Sequence, residues 1–108
     1  MADTYKILAQ LKPGANVLTD LYTVPAATVT IVSMLTVCNQ GAATAYTIKA
    51  AVAGEADATK QATASLKAIA ANATINEIVG ATLGATDVLR VLNIIATCSF
   101  TLFGVEKT

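Results

Sequence analysis

The stretch "TDLYTVPAATVTIVSMLTVCNQ", residues 19–40, decides the fold, because it opens the longest uncharged span of the chain, between Asp20 and Lys49. Three structures compete for such a span: a membrane helix, a filament-coat helix and sheet. A spanning helix needs about 20 predominantly apolar residues. Here Thr23, Thr28, Thr30, Ser33 and Thr36 interrupt the run, and Pro25 breaks it near its start. Threonine and valine branch at Cβ, which restricts them in a helix and suits a pleated surface. The stretch therefore reads as a pair of strands, with Pro25, which has no N–H to give a ladder, at a strand end or edge. In the second strand Val29, Ile31, Leu35 and Val37 share one parity, and Thr30, Val32, Met34, Thr36 and Cys38 the other. That gives one core face and one half-polar face, with Thr30 and Thr36 set against a neighbour or water.

The same alternation continues on both sides. "TYKILAQ" reads as a strand that breaks at Pro13-Gly14, a pair suited to a turn. After a turn at Gly41, Tyr46, Ile48, Ala50 and Val52 alternate with Thr47, Lys49 and Ala51. "AGEADATKQ" is the most polar loop. Near the end, Cys98, Phe100 and Leu102 oppose Thr97, Ser99 and Thr101, which places Phe100 in the core. Phe103 points the other way, either onto a neighbouring subunit or into a second core face. One segment resists assignment. "KQATASLKAIAANATINEI" is rich in alanine, the best helix former, and Leu66, Ile69 and Ala73 share a helical face. Its alternative is a strand to Ile69, a turn at Ala71-Asn72 and a strand around Ile75. About seven short strands, with turn signals near every tenth residue, predict one all-β domain over 1–108. We expect an antiparallel sandwich, jelly-roll-like, with a short helix near 58–68 as the local alternative.

Composition narrows the function. Charged residues are 13% of the chain against a usual value of about 25%. So little charge on a small domain predicts that surface is buried between subunits, in a homo-oligomer or a larger assembly. Seven Lys/Arg balance seven Asp/Glu with no basic cluster, which excludes a phosphate-tracking nucleic-acid surface. "MADTYKILAQ" lacks the basic and apolar regions of a secretory signal, so synthesis in a cytoplasm is expected. There is no His and no Cys-x-x-Cys spacing, so no metal site is expected, and Cys38 and Cys98 read as free thiols in apolar surroundings, with a disulfide between them the alternative that sequence does not decide. Without His, acid–base work would fall to carboxylates that sit mostly in turns and near the termini. Asp20 and Asp87, each after a Thr, read as turn carboxylates that accept backbone N–H bonds. "GATLGATD" lacks the Gly-Lys-Ser/Thr that a phosphate loop requires. No catalytic residue, cofactor or enzymatic activity is expected.

With the strands laid out, the order "TYKILAQ", "TDLYTVPAATVTIVSMLTVCNQ", "IAANATI", "TLGATDVLRV" and "SFTLFGVEKT" resembles a family of small structural proteins of tailed-bacteriophage virions. The resemblance spans nearly the whole chain and is most specific at 22–25 and 100–106. It departs most at 54–66, where this chain is alanine-rich and the family more aromatic. The resemblance implies a β-sandwich made in the cytoplasm of an infected bacterium and built into the virion, with no catalytic residues to carry over. It also implies two strands rather than a helix over 67–78. The leading expectation is a head decoration or cement protein in contact with the major capsid protein, and the alternative is a tail, neck or fibre-associated component. A host-glycan-binding module is the third reading, weakened by the absence of Trp. Tyr22, Pro25, Thr30, Thr36 and Phe103 are the candidate contact residues, and neither a membrane nor nucleic acid is an expected partner.

Overall fold

Alternation carries most of the chain into strands. The computed structural model describes residues 3–77 and 80–108. Its strands are β1 (Asp3–Leu11), β2 (Thr19–Thr23), β3 (Val29–Asn39), β4 (Thr44–Ala51), β5 (Ala62–Ile69), β6 (Thr74–Glu77), β7 (Thr82–Leu83), β8 (Val88–Asn93) and β9 (Cys98–Lys107). Two antiparallel sheets form, β1-β9-β3-β6 with β7 also on β3, and β2-β8-β4-β5. β6 and β7 lie along the same flank of β3, opposite Leu35–Cys38 and Thr30–Ile31 respectively. They act as one strand with a break. Counted so, eight strands divide into two sheets of four in jelly-roll order, the all-β sandwich expected from the sequence.

The opening stretch does form two strands, but they belong to different sheets. β2 ends at Thr23, and the connection through the exposed Pro25 crosses from one sheet to the other. The parity expected for β3 holds only in its second half. Leu35 and Val37 are buried, yet Val29 and Ile31 face outward while Thr30 and Val32 face in. The cause is a bulge. On β9, Gly104 and Phe103 are consecutive, but their β3 partners are Val32 and Met34, so Ser33 is an extra residue and the pattern switches faces there. β1 bulges at the same level, where Ile7 and Ala9 flank the extra Leu8 opposite Phe103 and Leu102. Between the two bulges lies Gly104. A Cβ added there would collide with the Ile31 carbonyl oxygen, and would also stand 3.0 Å from Leu8 Cδ1.

The alanine-rich segment is strand and not helix. Only a single 3-10 turn, Thr59–Gln61, precedes β5, which pairs with β4. The turn at Ala71-Asn72 is present, with Asn72 in the left-handed region at φ 55°, and β6 follows. Ile78, the expected end of that second strand, lies outside the described residues. Pairing with β4 overrides the helix preference of alanine, and Ile69 packs into the core with Ala64 against it.

The core fills the space between the sheets. Val32, Leu35, Val37, Cys98, Phe100 and Leu102 come from one sheet, and Leu21, Tyr46, Ile48, Leu89 and Val91 from the other. Phe100 and Tyr46 meet edge to face across the layer, ring centroids 6.1 Å apart. Val52 does not extend the inward face of β4; it lies beyond the strand and is exposed. Cys38 and Cys98 sit on neighbouring rungs but face opposite sides, and both are free thiols. Among the described residues, no helix is long and apolar enough to cross a membrane.

Candidate interaction surface

Tyr22, expected as a contact residue, is instead an interior crosslink. It projects from β2 into the layer, and its hydroxyl donates to Glu106 Oε2 of β9. With its single proton committed there, the bond to Thr30 Oγ1 at 2.8 Å is donated by Thr30. Lys6 of β1 closes the cluster with an ion pair to Glu106 Oε1 at 2.9 Å. Thr30 is fully buried, so neither Tyr22 nor Thr30 is available to a partner. The bulge at Ser33 turned Thr30 inward. Burial, reinforced by Glu106, pushes the Tyr22 phenol up to about 12, and the hydrogen bond from Tyr22, with that from Lys6, holds the Glu106 carboxyl below its usual range.

Segments 22–25 and 100–106 therefore meet in space. Tyr22 lies in the Asp-Leu-Tyr-Thr-Val-Pro segment and Glu106 in the Phe-Gly-x-Glu segment, and their contact ties one sheet to the other. Those motifs hold a scaffold together. Glu106 stands in the 100–106 segment without a role that the segment itself reveals, although a signal for one was present. It shares parity with Phe100, Leu102 and Gly104, and a carboxylate on a core-facing parity requires a partner.

A second cluster repeats the chemistry. Tyr46 of β4 donates to Glu77 Oε1 of β6 at 2.7 Å, and Lys67 of β5 donates to the same oxygen at 2.7 Å. Glu77 is held low, first by Lys67 and then by Tyr46, while burial raises Tyr46. Asp87 matches its expected turn role: it accepts from the N–H groups of Gly84 and Ala53, both at 2.9 Å. Asp20 does not. It pairs with Arg90 Nε at 3.0 Å on the outer face of the second sheet.

The outer faces of the two sheets differ. On the β2-β8-β4-β5 sheet, Arg90–Asp20 and Lys49–Asp57 are ion-paired, and Arg90 also donates to the carbonyl of Glu55 in the polar loop. On the β1-β9-β3 part of the other sheet two rungs are apolar. Tyr5, Val105 and Ile31 form one, and Ile7, Phe103 and Met34 the next. Val29 adds to the first end. Tyr5 is 76% exposed and Ile7 51%. The island is bounded by Asp3 and Lys107 at one end and by the polar rung Gln10–Thr101–Thr36–Asn76 at the other. Of the five candidate contact residues, Phe103 lies in this island, Thr36 borders it with a hydrogen bond to Asn76, and Pro25 lies apart on the connection between sheets. Val29 and Ile31 escaped residue spacing because a one-residue bulge inverts the faces of β3, and Tyr5 and Ile7 because the spacing of "TYKILAQ" gives a strand without saying which face is outward.

The chain matches no protein-family model, and comparisons with curated proteins and with solved structures find no match either.

Proposed function

We propose that this protein is a structural component of a tailed-bacteriophage virion, a head decoration protein that reinforces the shell at contacts between major capsid subunits. One observation carries the reading: the jelly roll leaves Tyr5, Ile7, Val29 and Ile31 in water together on one side of one sheet, while the other sheet carries ion pairs on its outer face and exposes Leu66 on its edge strand β5. Contiguous apolar surface on a small domain marks a place where protein is covered by protein. The family resemblance supplies the setting, and its two most specific segments serve to lock the sandwich. Joined through this island, copies seated on adjoining capsid subunits add buried apolar area at about 25 cal/mol per Å² across the subunit boundary, which raises the barrier to shell rupture under internal pressure.

The test is particle loss. Virions made without this protein release DNA at lower temperature and on milder osmotic shock than complete virions, and quantitative gels of complete virions show hundreds of copies. Unchanged heat and shock resistance overturns the reading. A dozen copies or fewer moves the protein to the tail, neck or fibre.

A further inference from the structure

We infer that the apolar island on the β1-β9-β3 face is covered by the same island of a second copy, so that the protein pairs face to face through this sheet. The inference deepens the virion reading and rests on it only for the setting in which the pair is used.

Three features favour a sister copy over other covers. First, the island's charged boundary is already neutral: Asp3 and Lys107 pair with each other at 3.5 Å. A like copy therefore meets no like-charge field, and the chain as a whole carries formal net charge +0. An anionic lipid surface would instead require a surrounding set of unpaired cations. The nearby cations Lys6 and Lys107 are both paired within the chain. Second, the island is a sheet face of three adjacent strands, with residues standing in register across the rungs. Two sheets of the same twist stack congruently, about 10 Å apart, and two copies of this face share their twist by identity.

Third, the area suits a pair that forms where copies are crowded. The exposed parts of Tyr5, Ile7, Val29 and Ile31, with the half-buried Phe103, Val105 and Met34, make up roughly 400 Å² of apolar surface. With the polar boundary included, a pair buries on the order of 1,000 Å² in total, at the lower limit of specific interfaces. Such a pair forms at micromolar concentrations in solution. It becomes persistent when both copies are held on one particle, because the second contact is then intramolecular.

Sedimentation velocity of the purified protein from about 5 µM to about 500 µM tests this. The expected result is a concentration-dependent monomer–dimer equilibrium, weakened at least about 100-fold by Tyr5→Lys and by Ile31→Lys, which place a cation in the island. Val52→Lys, an exposed apolar site elsewhere in the molecule, leaves it unchanged. Tyr5 is so exposed that its substitution leaves folding intact, which circular dichroism verifies even if Ile31→Lys unfolds. A monomer at every concentration overturns the pairing, as does a dimer insensitive to Tyr5→Lys or an oligomer larger than two. A strict monomer that still stabilises virions sinks the pairing alone. A dimer that is absent from virions sinks the decoration reading alone.

Discussion

Two clusters of the same composition, Tyr22–Glu106–Lys6 and Tyr46–Glu77–Lys67, tie one sheet to the other, and they are not equally well built. The first uses both oxygens of its carboxylate and adds a buried threonine hydroxyl. It sits beside Gly104, where β1 and β3 close tightly around β9. The second directs both donors at one oxygen and borders a space of about 350 Å³ lined by Leu35, Ile48, Ala64, Glu77, Leu83 and Leu89. Identical chemistry thus finishes in a closed end and an open end. The open end is where the chain is richest in alanine, and small side chains such as Ala50, Ala64 and Ala81 line the space.

The strongest way to break the closed end is Gly104→Val. Its side chain would have to displace the Ile31 backbone, and we expect a loss of at least about 3 kcal/mol in urea unfolding, or no folded protein at all. Next come the tyrosines. Tyr22→Phe leaves Thr30, fully buried, and Glu106 short of a partner, whereas Tyr46→Phe leaves Glu77 still held by Lys67. Both cost roughly 1–3 kcal/mol, with Tyr22→Phe the larger. Equal losses would show that the two ends are equivalent after all.

Acidity gives a subtler probe. Glu106 and Glu77 have carboxyls held lower in the folded chain than the ordinary value of 4.5. Their stabilisation is complete above that value and is lost as pH falls through their lower folded values. For Tyr22, raised from 10.0 to about 12, the sign is opposite: its contribution is complete below pH 10.0 and disappears as pH rises toward 12. Melting temperature should therefore be level from pH 4.5 to pH 9.0, where the Cys98 thiol, raised by burial, begins the alkaline loss that Tyr22 continues, and Glu106→Gln should flatten the acid limb. The smallest effect belongs to the open end, where Ala64→Val adds methyl groups beside the unfilled space. A gain of about 0.5–1 kcal/mol is expected, with no change in the acid limb.

How legible all this was in the sequence follows from range. Alternation is local, so the inward set Cys98, Phe100 and Leu102 and the strand pair flanking Pro25 could be read directly. The alanine-rich segment could not, because alanine's helix preference is intrinsic while the pairing of β5 with β4 is tertiary. The face of β3 failed for a different reason. Two bulges, at Leu8 and Ser33, are set by how closely the neighbouring strands approach Gly104, and no spacing within β3 encodes that distance. The surface inherits the error: Thr30 moved inside, and Val29 and Ile31 moved out.

The position of β9 has a consequence for how the molecule comes into being. It is the last strand in chain order, yet it lies between β1 and β3, and Asp3 stands opposite Lys107 across the ladder. On a ribosome, β1 and β3 emerge with an empty slot between them and hold two unpaired edges until residues 98–107 follow. A nascent chain is then a template for mispairing with its neighbours on the same message. Closure of this sheet waits for β9, so trimming a few residues from β9 removes the centre of a sheet. Anything joined before Asp3 or after Lys107, by contrast, leaves from the same corner and can be carried without disturbing either layer.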